Sequence, residues 1–343
     1  MGGNRAAVAT AVNTLVVCLV AMACGAKKDI IDRDRALVET LVPEGHKTES
    51  LTGDLADGVR ALRDGELDDA NAALERWLDK HPNSAMAAYH LGLWALAVDK
   101  RAVAQNWFER AVEFDPKLHA AHCHLGALYL SHGEDVAALR ALEKAFALAP
   151  DDVRVLANLG AARARRGLWS EALEAYQAAN KIAPSHGSLL YDTALIWMQR
   201  QQWQQALDLL EQALTVRPYF GQAWAAKVVC LHGLGDLQGA EAAAQAAIDT
   251  LGQPEAEVHL AYARVLVHQR KVDEGIDQLK KATELRPDHP GVQLALGELY
   301  DAAGNKKDAL ATYLLFLKNP QRLGEDSRRI RDRVKQLQSG KAD

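Results

Sequence analysis

Small and large apolar residues alternate along this chain with a period of 34 residues. With residue 51 as position 1, repeats begin at 51, 85, 119, 153, 187 and 221, and then, after a one-residue insertion, at 256 and 290. A small residue occupies position 20 of every repeat: Ala70, Ala104, Ala138, Ala172, Ala206, Ala240, Gly275 and Ala309. Two helices can approach closely at such a site, so the period predicts one helix pair per repeat.

Positions 8 and 24 complete the pattern. Position 8 is small in seven repeats: Gly58, Gly92, Gly126, Gly160, Ala194, Ala263 and Gly297, with Val228 the exception. Position 24 is large in seven repeats: Leu74, Phe108, Leu142, Tyr176, Leu210, Leu279 and Tyr313, with Ala244 the exception. Position 27 is Ala in Ala111, Ala145, Ala179, Ala213, Ala247 and Ala282. These positions predict large side chains that pack into recesses left by small ones.

Five prolines end the repeats at the same interval: Pro82, Pro116, Pro150, Pro184 and Pro218. Proline lacks the amide donor and clashes with the preceding turn, so each is expected to stop the second helix of its repeat. Gly167, Gly235 and Gly304 fall at the turn between helices, where a positive φ is often needed. The sequence thus predicts eight helix pairs over residues 51–320.

Composition agrees with an all-α fold. Hydrophobic residues make up 49% of the 343 residues and charged ones 25%, which is enough to build a large core. Aromatic residues are only 6%, and Ala and Leu supply most of the apolar content. The formal net charge of -5 argues against nucleic acid as a partner. Cys123 and Cys230 lie in predicted helices three repeats apart, so they are expected to be buried thiols.

The 34-residue pattern resembles the tetratricopeptide repeat family over residues 51–320. The resemblance implies a right-handed α-solenoid whose concave face is lined by the first helices. In this family positions 2, 5, 9, 12 and 13 point into the groove. The predicted partner-binding residues are Met86, Tyr89, Leu93, Leu130, Arg154, Arg165, Tyr191, Leu195, Met198 and Gln199.

This groove is expected to hold a helix or an extended segment of another protein. Tyr89, Tyr191, Arg154 and Met198 are the preferred contact residues; the alternative for Leu93, Leu96 and Leu195 is that they pack inside the repeat stack. The family's clamp for acidic C-terminal tails needs Lys and Asn, whereas Tyr89 and Leu93 occupy those places here. Chaperone-tail binding is therefore not expected.

The N-terminus has the order of a secretory signal: Arg5, an apolar stretch over 6–23, then Cys24 and charged residues. The segment before Cys24 resembles a bacterial lipoprotein processing site, although Ala21 and Met22 depart from its usual residues. This predicts a signal peptide over 1–23 and a lipid anchor on Cys24 that would hold the protein to a membrane. An ordinary cleaved signal and an uncleaved anchor stay open.

Gly25 after the cysteine resembles outer-membrane sorting, so the expected location is the cell envelope, on an outer-membrane lipoprotein facing the periplasm. A soluble periplasmic protein and an inner-membrane anchor are the alternatives. Residues 24–50 are expected to form a tether with a short helix over 29–41.

Residues 321–343 are expected to form a basic capping helix, over 326–338, and a tail. Ile330, Val334 and Leu337 follow helical spacing there, between basic residues. A solvated face is one interpretation of these charges, and contact with acidic protein or lipid headgroups is the other.

Two repeats are irregular. The sixth has Gly252 in place of the terminal proline and the small Ala244 at position 24, so its junction with the seventh repeat is expected to be the weakest. The first has Asp57 at a usually apolar position, as expected of a terminal repeat with one solvated side.

Candidate chemistry is sparse. The segment His119-Ala-Ala-His122-Cys123-His124 is the best metal candidate, but in the helical register its side chains diverge. No phosphate loop, Gly-x-Ser-x-Gly elbow or His-Glu-x-x-His helix is present. We therefore expect no catalytic residues, cofactor, metal or small-molecule substrate.

The sequence predicts a non-catalytic interaction scaffold or assembly factor in an envelope machine, such as a secretin or pilus, motility or cell-wall complex, with protein partners. A soluble periplasmic chaperone or delivery protein is the alternative, followed by a metal-dependent sensor or enzyme.

Overall fold

Helices account for all the regular structure in the part of the chain that the computed structural model describes, residues 52–319 and 324–339, with no β-strand there. The seventeen helices are α1 (Gly53–Asp64), α2 (Leu67–Lys80), α3 (Ala85–Ala97), α4 (Arg101–Phe114), α5 (His119–His132), α6 (Asp135–Leu148), α7 (Val153–Arg165), α8 (Trp169–Ile182), α9 (Gly187–Gln199), α10 (Trp203–Val216), α11 (Gly221–Gly233), α12 (Leu237–Leu251), α13 (Ala256–His268), α14 (Val272–Leu285), α15 (Pro290–Ala302), α16 (Lys306–Lys318) and α17 (Gly324–Gln338). The predicted signal segment, Cys24 and the helix over 29–41 lie outside the described residues.

The first sixteen helices form eight pairs, so the fold is the all-α solenoid that the sequence predicts. The chain divides into two compact units. The first unit ends at Pro184 and contains pairs one to four. The second unit begins at Ser185 and contains pairs five to eight with α17.

The core of each pair lies where position 8 meets position 24. A Cβ added to Gly58 would lie 2.7 Å from Leu74 Cγ, and one added to Gly92 would lie 2.5 Å from Phe108 Cε1. Real Cβ atoms do not approach so closely, so any larger residue would push the helices apart. The predicted match of small and large residues is confirmed, and all eight position-20 residues are buried.

The sixth pair inverts this match. The register places Val228, large where other repeats have Gly or Ala, opposite Ala244, small where others have Leu, Phe or Tyr. Both side chains are fully buried in one cluster of the second unit, together with Val258 and Leu266 of α13. The larger side chain of Val228, on the first helix of the pair, therefore offsets the small size of Ala244 on the second helix. Weakness of the junction between repeats six and seven stays a prediction.

Each turn between paired helices contains a left-handed residue at position 15. It is glycine in five repeats, including the predicted Gly167, Gly235 and Gly304, and Asp99, Gln201 or Arg270 in the other three, with φ of 55°, 57° and 67°. The turn geometry is thus kept where the sequence gives no glycine signal, at a cost of roughly 1–2 kcal/mol for each side chain.

The chain between repeats is held by a contact that recurs at position 4. His122 Nε2 lies 3.0 Å from the carbonyl oxygen of Pro116. Trp224 Nε1 donates to Pro218 O at 2.8 Å, and Gln293 Nε2 donates to Pro287 O at 2.6 Å. A carbonyl only accepts, so His122 donates from Nε2. Three side chains of different type therefore fasten the start of a repeat to the proline that ends the previous one.

Helix α17 begins 34 residues after the first residue of the eighth repeat, so it occupies the register of the first helix of a ninth repeat. Ile330 and Val334 are buried against Tyr313 and Phe316 of α16. Position 8 of this helix is Arg331, which is exposed, where complete repeats have a small buried residue. The predicted helix is therefore present and packs like a first helix, with a polar outer side.

Two of the basic residues of α17 pair with acidic residues of α15. Arg333 forms a two-pronged ion pair with Asp301 of α15, with N–O distances of 2.7 and 2.8 Å. Arg329 pairs with Glu298, which also lies on α15. Burial raises the pKa of Glu298 to about 7, despite the opposing charge of Arg329. The remaining exposed basic residues are Arg328, Arg331 and Lys335.

Candidate functional site

The ten groove candidates separate into two sets. Six apolar side chains are buried members of the core clusters: Tyr89, Leu93, Leu130, Tyr191, Leu195 and Met198. Four are partly buried: Met86, Arg154, Arg165 and Gln199. The structure gives the first set a packing role, so a partner would meet the second set first. Partner contact by any of the ten stays a prediction.

Arg154 occupies position 2 of the fourth repeat, one of the positions that face the groove in this family, and it forms an ion pair with Asp152. Asp152 caps the N-terminus of α7 by accepting hydrogen bonds from the amides of Arg154 and Val155. The same carboxylate accepts from Arg154 Nε at 3.3 Å and Nη2 at 2.9 Å. His119 Nε2 lies 3.6 Å from Asp152 Oδ2. One aspartate therefore both starts the helix and fixes the guanidinium.

Each member of this pair keeps the other ionised. Burial opposes ionisation of Asp152, but its hydrogen bonds with Arg154 and the Arg154 charge outweigh this and lower its pKa. Burial likewise opposes the charge on Arg154, and Asp152 outweighs it and raises the pKa of Arg154. The Arg154 side chain remains 26% exposed, so it can still bind a polar group from outside.

Tyr89 lies beside Arg154 but faces the core. Its ring packs at centroid distances of 5.8 Å from Phe108 and 5.7 Å from His124. Only 4% of the residue is exposed, and its buried hydroxyl has no hydrogen-bond partner. Burial raises the pKa of Tyr89 far above its usual value, against the opposing charge of Arg154. The hydroxyl is therefore a neutral buried dipole next to a fixed positive charge.

The three histidines of the metal candidate point to different places. His119 lies near Asp152, His122 is bonded to Pro116 O, and His124 stacks on Phe108 with centroids 5.0 Å apart and planes 8° apart. Burial lowers the pKa of His124 to about 3, so its ring is neutral at ordinary pH. Among the described residues no three His, Cys, Asp or Glu side chains form a group that could hold a metal ion.

The second unit has a histidine pair at positions 12 and 13 of consecutive repeats, which face the groove in this family. His232 Nε2 of α11 and His268 Nδ1 of α13 lie 2.8 Å apart. Burial, together with Arg264 and His268, lowers the pKa of His232 to about 4. Arg264 is almost completely buried. His232 is therefore neutral at ordinary pH, and one ring of the pair donates a hydrogen bond to the other.

Models of the tetratricopeptide repeat match residues 55–119, 125–186, 191–256 and 266–322. These segments cover well over half of the chain. The chain belongs to the tetratricopeptide repeat family. A search of curated proteins finds no significant match.

Solved structures share the fold of this tetratricopeptide repeat protein at low identity. A repeat protein from Parabacteroides merdae aligns with a TM-score of 0.63 and 16% identity, over 74% of this chain and 99% of that one. A chain of the APC/C hetero-tetramer Cut9–Hcn1 gives a TM-score of 0.60 and 18% identity over 80% of this chain. This chain spans 52% of that protein's length. PilW gives 0.56 and 16%, over 62% of this chain and 98% of PilW.

Several inner-face residues of this tetratricopeptide repeat protein escaped the sequence prediction. The predicted set stops at the fifth repeat, although positions 9, 12 and 13 in the following two repeats give Arg264, His232 and His268. Asp152 carried a signal too, because an Asp just before an apolar helix start is a typical N-cap. None of the described helices is both long and apolar enough to cross a membrane.

A groove also lies on the outer side of the first unit, between the second helices α4 and α6. Its volume is about 550 Å³, and its lining includes Glu109, Val112, Lys144 and Leu148. It is open to solvent and its accessible surface is mainly apolar, so it offers few directional contacts. The inner face around Arg154 therefore remains the better candidate for specific binding.

Proposed function

We propose that this protein is a non-catalytic interaction scaffold or assembly factor of a bacterial cell-envelope machine, such as a secretin or pilus, motility or cell-wall complex. It binds a helix or extended segment of a partner protein against the inner face of its repeats. Membership of a family of interaction scaffolds supports the general role.

The partly exposed Arg154–Asp152 pair carries the proposal for the binding face. The pair lies among apolar side chains, where a charge-assisted hydrogen bond is stronger than in water. Asp152 holds the guanidinium in one orientation, and about a quarter of the side chain remains accessible. A carboxylate or backbone carbonyl of the partner would therefore meet a donor that is already positioned. Met86 adds an adaptable apolar contact in the same unit.

The envelope location is supported by the sequence of residues 1–24. A basic residue, an apolar stretch and a cysteine in that order suit export followed by lipid attachment at Cys24. Two proteins with this fold are PilW, a type IV pilus biogenesis factor, and Pseudomonas aeruginosa PilF, with TM-scores of 0.56 and 0.51. At 16% and 20% identity the likeness concerns the fold alone.

Site-specific photo-crosslinking in cells tests the binding face. A crosslinker at Met86 or Gln199 should capture one partner from the envelope fraction, while a crosslinker at the outward Glu143 or Gln212 should not. Arg154→Gln should weaken capture at Met86 at least fivefold, because it removes a charge-assisted bond of about 1.5–3 kcal/mol. Arg60→Gln, which removes an exposed arginine paired with Asp57, is the matched control. Capture from the outward positions alone would contradict the proposal.

The tether has its own test, the mass of the mature N-terminus. A lipidated Cys24 should give a chain that begins at that residue with added acyl groups and partitions with membranes, and Cys24→Ser should abolish both. An unmodified N-terminus with intact capture at Met86 would instead support the soluble periplasmic delivery protein. The scaffold role and the tether can thus fail separately.

A further inference from the structure

The last helix pair exposes two adjacent leucines. Leu314 and Leu315 of α16 are 37% and 56% exposed. They occupy positions 25 and 26 of the eighth repeat, on the outward side of the second helix. Single exposed leucines are common on proteins, so their meaning depends on what the other repeats carry at the same place.

Every other repeat has a polar residue at position 25 and none has a large apolar residue at position 26. The seven pairs are Glu75-Arg76, Glu109-Arg110, Glu143-Lys144, Gln177-Ala178, Glu211-Gln212, Gln245-Ala246 and Lys280-Lys281. The backbone requirement is the same in all eight repeats, so the fold does not demand leucine here. Among the eight repeats, only the eighth has an apolar pair at positions 25 and 26.

Basic residues frame the leucines. Lys307, Ala311 and Lys318 share their helix face by the 3.6-residue period, and all three are exposed. Residues 298–335, which include the acidic partners of Arg329 and Arg333, contain nine Lys and Arg and six Asp and Glu, a net charge of +3, within a chain of net charge -5. The apolar pair therefore lies at the basic end of an otherwise acidic protein.

We propose that this surface contacts the headgroup region of an anionic bilayer. The surface consists of Lys307, Ala311, Leu314, Leu315 and Lys318. The leucines would enter the boundary between headgroups and acyl chains, and the lysines would meet lipid phosphates. The exposed Arg328, Arg331 and Lys335 of α17, at the same end of the second unit, add attraction over longer range.

A bilayer fits this surface better than an acidic protein segment does. A docked helix or strand needs a groove that covers it from two sides. The leucines instead project from the outward face of one helix, which a flat surface can reach. Contact of this kind needs no spanning helix, and the described residues contain none.

The proposal extends the envelope role but does not depend on lipid at Cys24. A single acyl chain holds a protein only marginally, and a basic patch is a sufficient second signal. A bilayer contact in the eighth repeat would supply that signal from a point remote in sequence from the anchor.

Vesicle co-sedimentation of the full chain, produced without lipid, tests the proposal. The probes are phosphatidylcholine vesicles with and without about one third phosphatidylglycerol. The wild-type chain should partition to the anionic vesicles about tenfold more strongly, and added salt should reduce the difference. The variant Leu314→Gln/Leu315→Ala, which copies the pair of repeats four and six, should lose at least about fivefold in partition.

Leu285→Gln is the matched control, because Leu285 is 50% exposed in the same unit and lies outside the patch. It should leave partition within about twofold of wild type. All variants carry the same residues 1–51, so any contribution of the N-terminal apolar segment cancels in the ratio. Equal partition of the wild type and the double variant overturns the proposal. Leucine-dependent binding to polyglutamate without binding to vesicles overturns it in favour of an acidic protein partner.

Discussion

At the scale of single residues, position in the repeat does not determine exposure on the inner face. Tyr89 and Arg154 occupy positions 5 and 2, both of which face the groove in this family. Tyr89 is covered because His124 of the next repeat packs against it. Arg154 remains accessible because Asp152 holds it at the start of α7. Burial of Tyr89 thus depends on a residue 35 positions later, which a repeat pattern alone does not weigh.

Tyr89→Phe and Tyr89→Ala separate packing from partner contact. Tyr89→Phe removes a buried hydroxyl that has no hydrogen-bond partner, so the free energy of unfolding should stay within about 1 kcal/mol of wild type or rise. Tyr89→Ala leaves a cavity against Phe108 and should lower it by about 3–5 kcal/mol. Urea denaturation followed by circular dichroism measures both. A loss of more than about 2 kcal/mol in Tyr89→Phe would mean that the hydroxyl is bonded.

His124 makes stability depend on pH. Its pKa is about 3 in the folded chain, below the usual value of 6.5, so the unfolded chain binds the extra proton. Stability from this group is therefore complete above pH 6.5 and falls as the pH drops toward 3. Between pH 7 and 5 the loss should be about 2 kcal/mol.

Urea midpoints at pH 7 and pH 5, in wild type and His124→Gln, isolate this effect. His232 in the other unit has a depressed pKa too and contributes equally to both proteins. The difference between the two pH values should therefore shrink by about 2 kcal/mol in the variant. An unchanged difference would show that His124 is protonated within the fold.

At the scale of helices, the 34-residue pattern predicted the pairing because it shows which contact positions hold small side chains and which hold large ones. Position 8 against position 24 is a size rule that Gly92 and Phe108 satisfy, and the structure follows it. The turns were less predictable, since Gln201 and Arg270 adopt the left-handed conformation without glycine. The sixth pair showed two apparent defects in sequence, Val228 and Ala244, and the structure buries both in one core cluster.

A double-mutant cycle tests this compensation. Val228→Ala alone should cost about 1–2 kcal/mol through a cavity, and Ala244→Leu alone about 1–3 kcal/mol through overpacking. The double variant recreates the combination found at Ala194 and Leu210 and should recover at least about 1 kcal/mol of the summed loss. Urea denaturation of the four proteins gives the coupling energy. Additive losses would show that the two side chains do not share a contact.

At the scale of the whole molecule, α17 caps the last helix pair. One face of α17 is apolar and packs on α16, and the face at Arg331 is polar and exposed. Its inner residues Ile330 and Val334 cover the last pair, and Arg331 stands where a further helix would need a small residue. Sequence periodicity predicted the helix but left the role of its arginines open. Arg329 and Arg333 are bound to Glu298 and Asp301, a pairing across more than 30 residues that helical spacing does not reveal.

Ile330→Ala tests the cap. Loss of this buried side chain should cost about 2–4 kcal/mol of local stability and let the end of the stack open. Hydrogen exchange of the amides in α16 and α17 should accelerate by at least about tenfold, with much less change in α9 and α10. Arg331→Ala, in an exposed side chain of the same helix, should leave the protection unchanged. Equal acceleration throughout the second unit would point to global destabilisation instead.

The inverted sizes of Val228 and Ala244 also limit how such a gene can recombine. A crossover that falls between repeats transfers both halves of the contact and leaves the donor pair intact. A crossover within the sixth repeat would join Val228 to a large partner, or Ala244 to a small one, producing a clash or a void. For this protein the smallest exchangeable module is therefore the helix pair, and its breakpoints belong at the repeat boundaries.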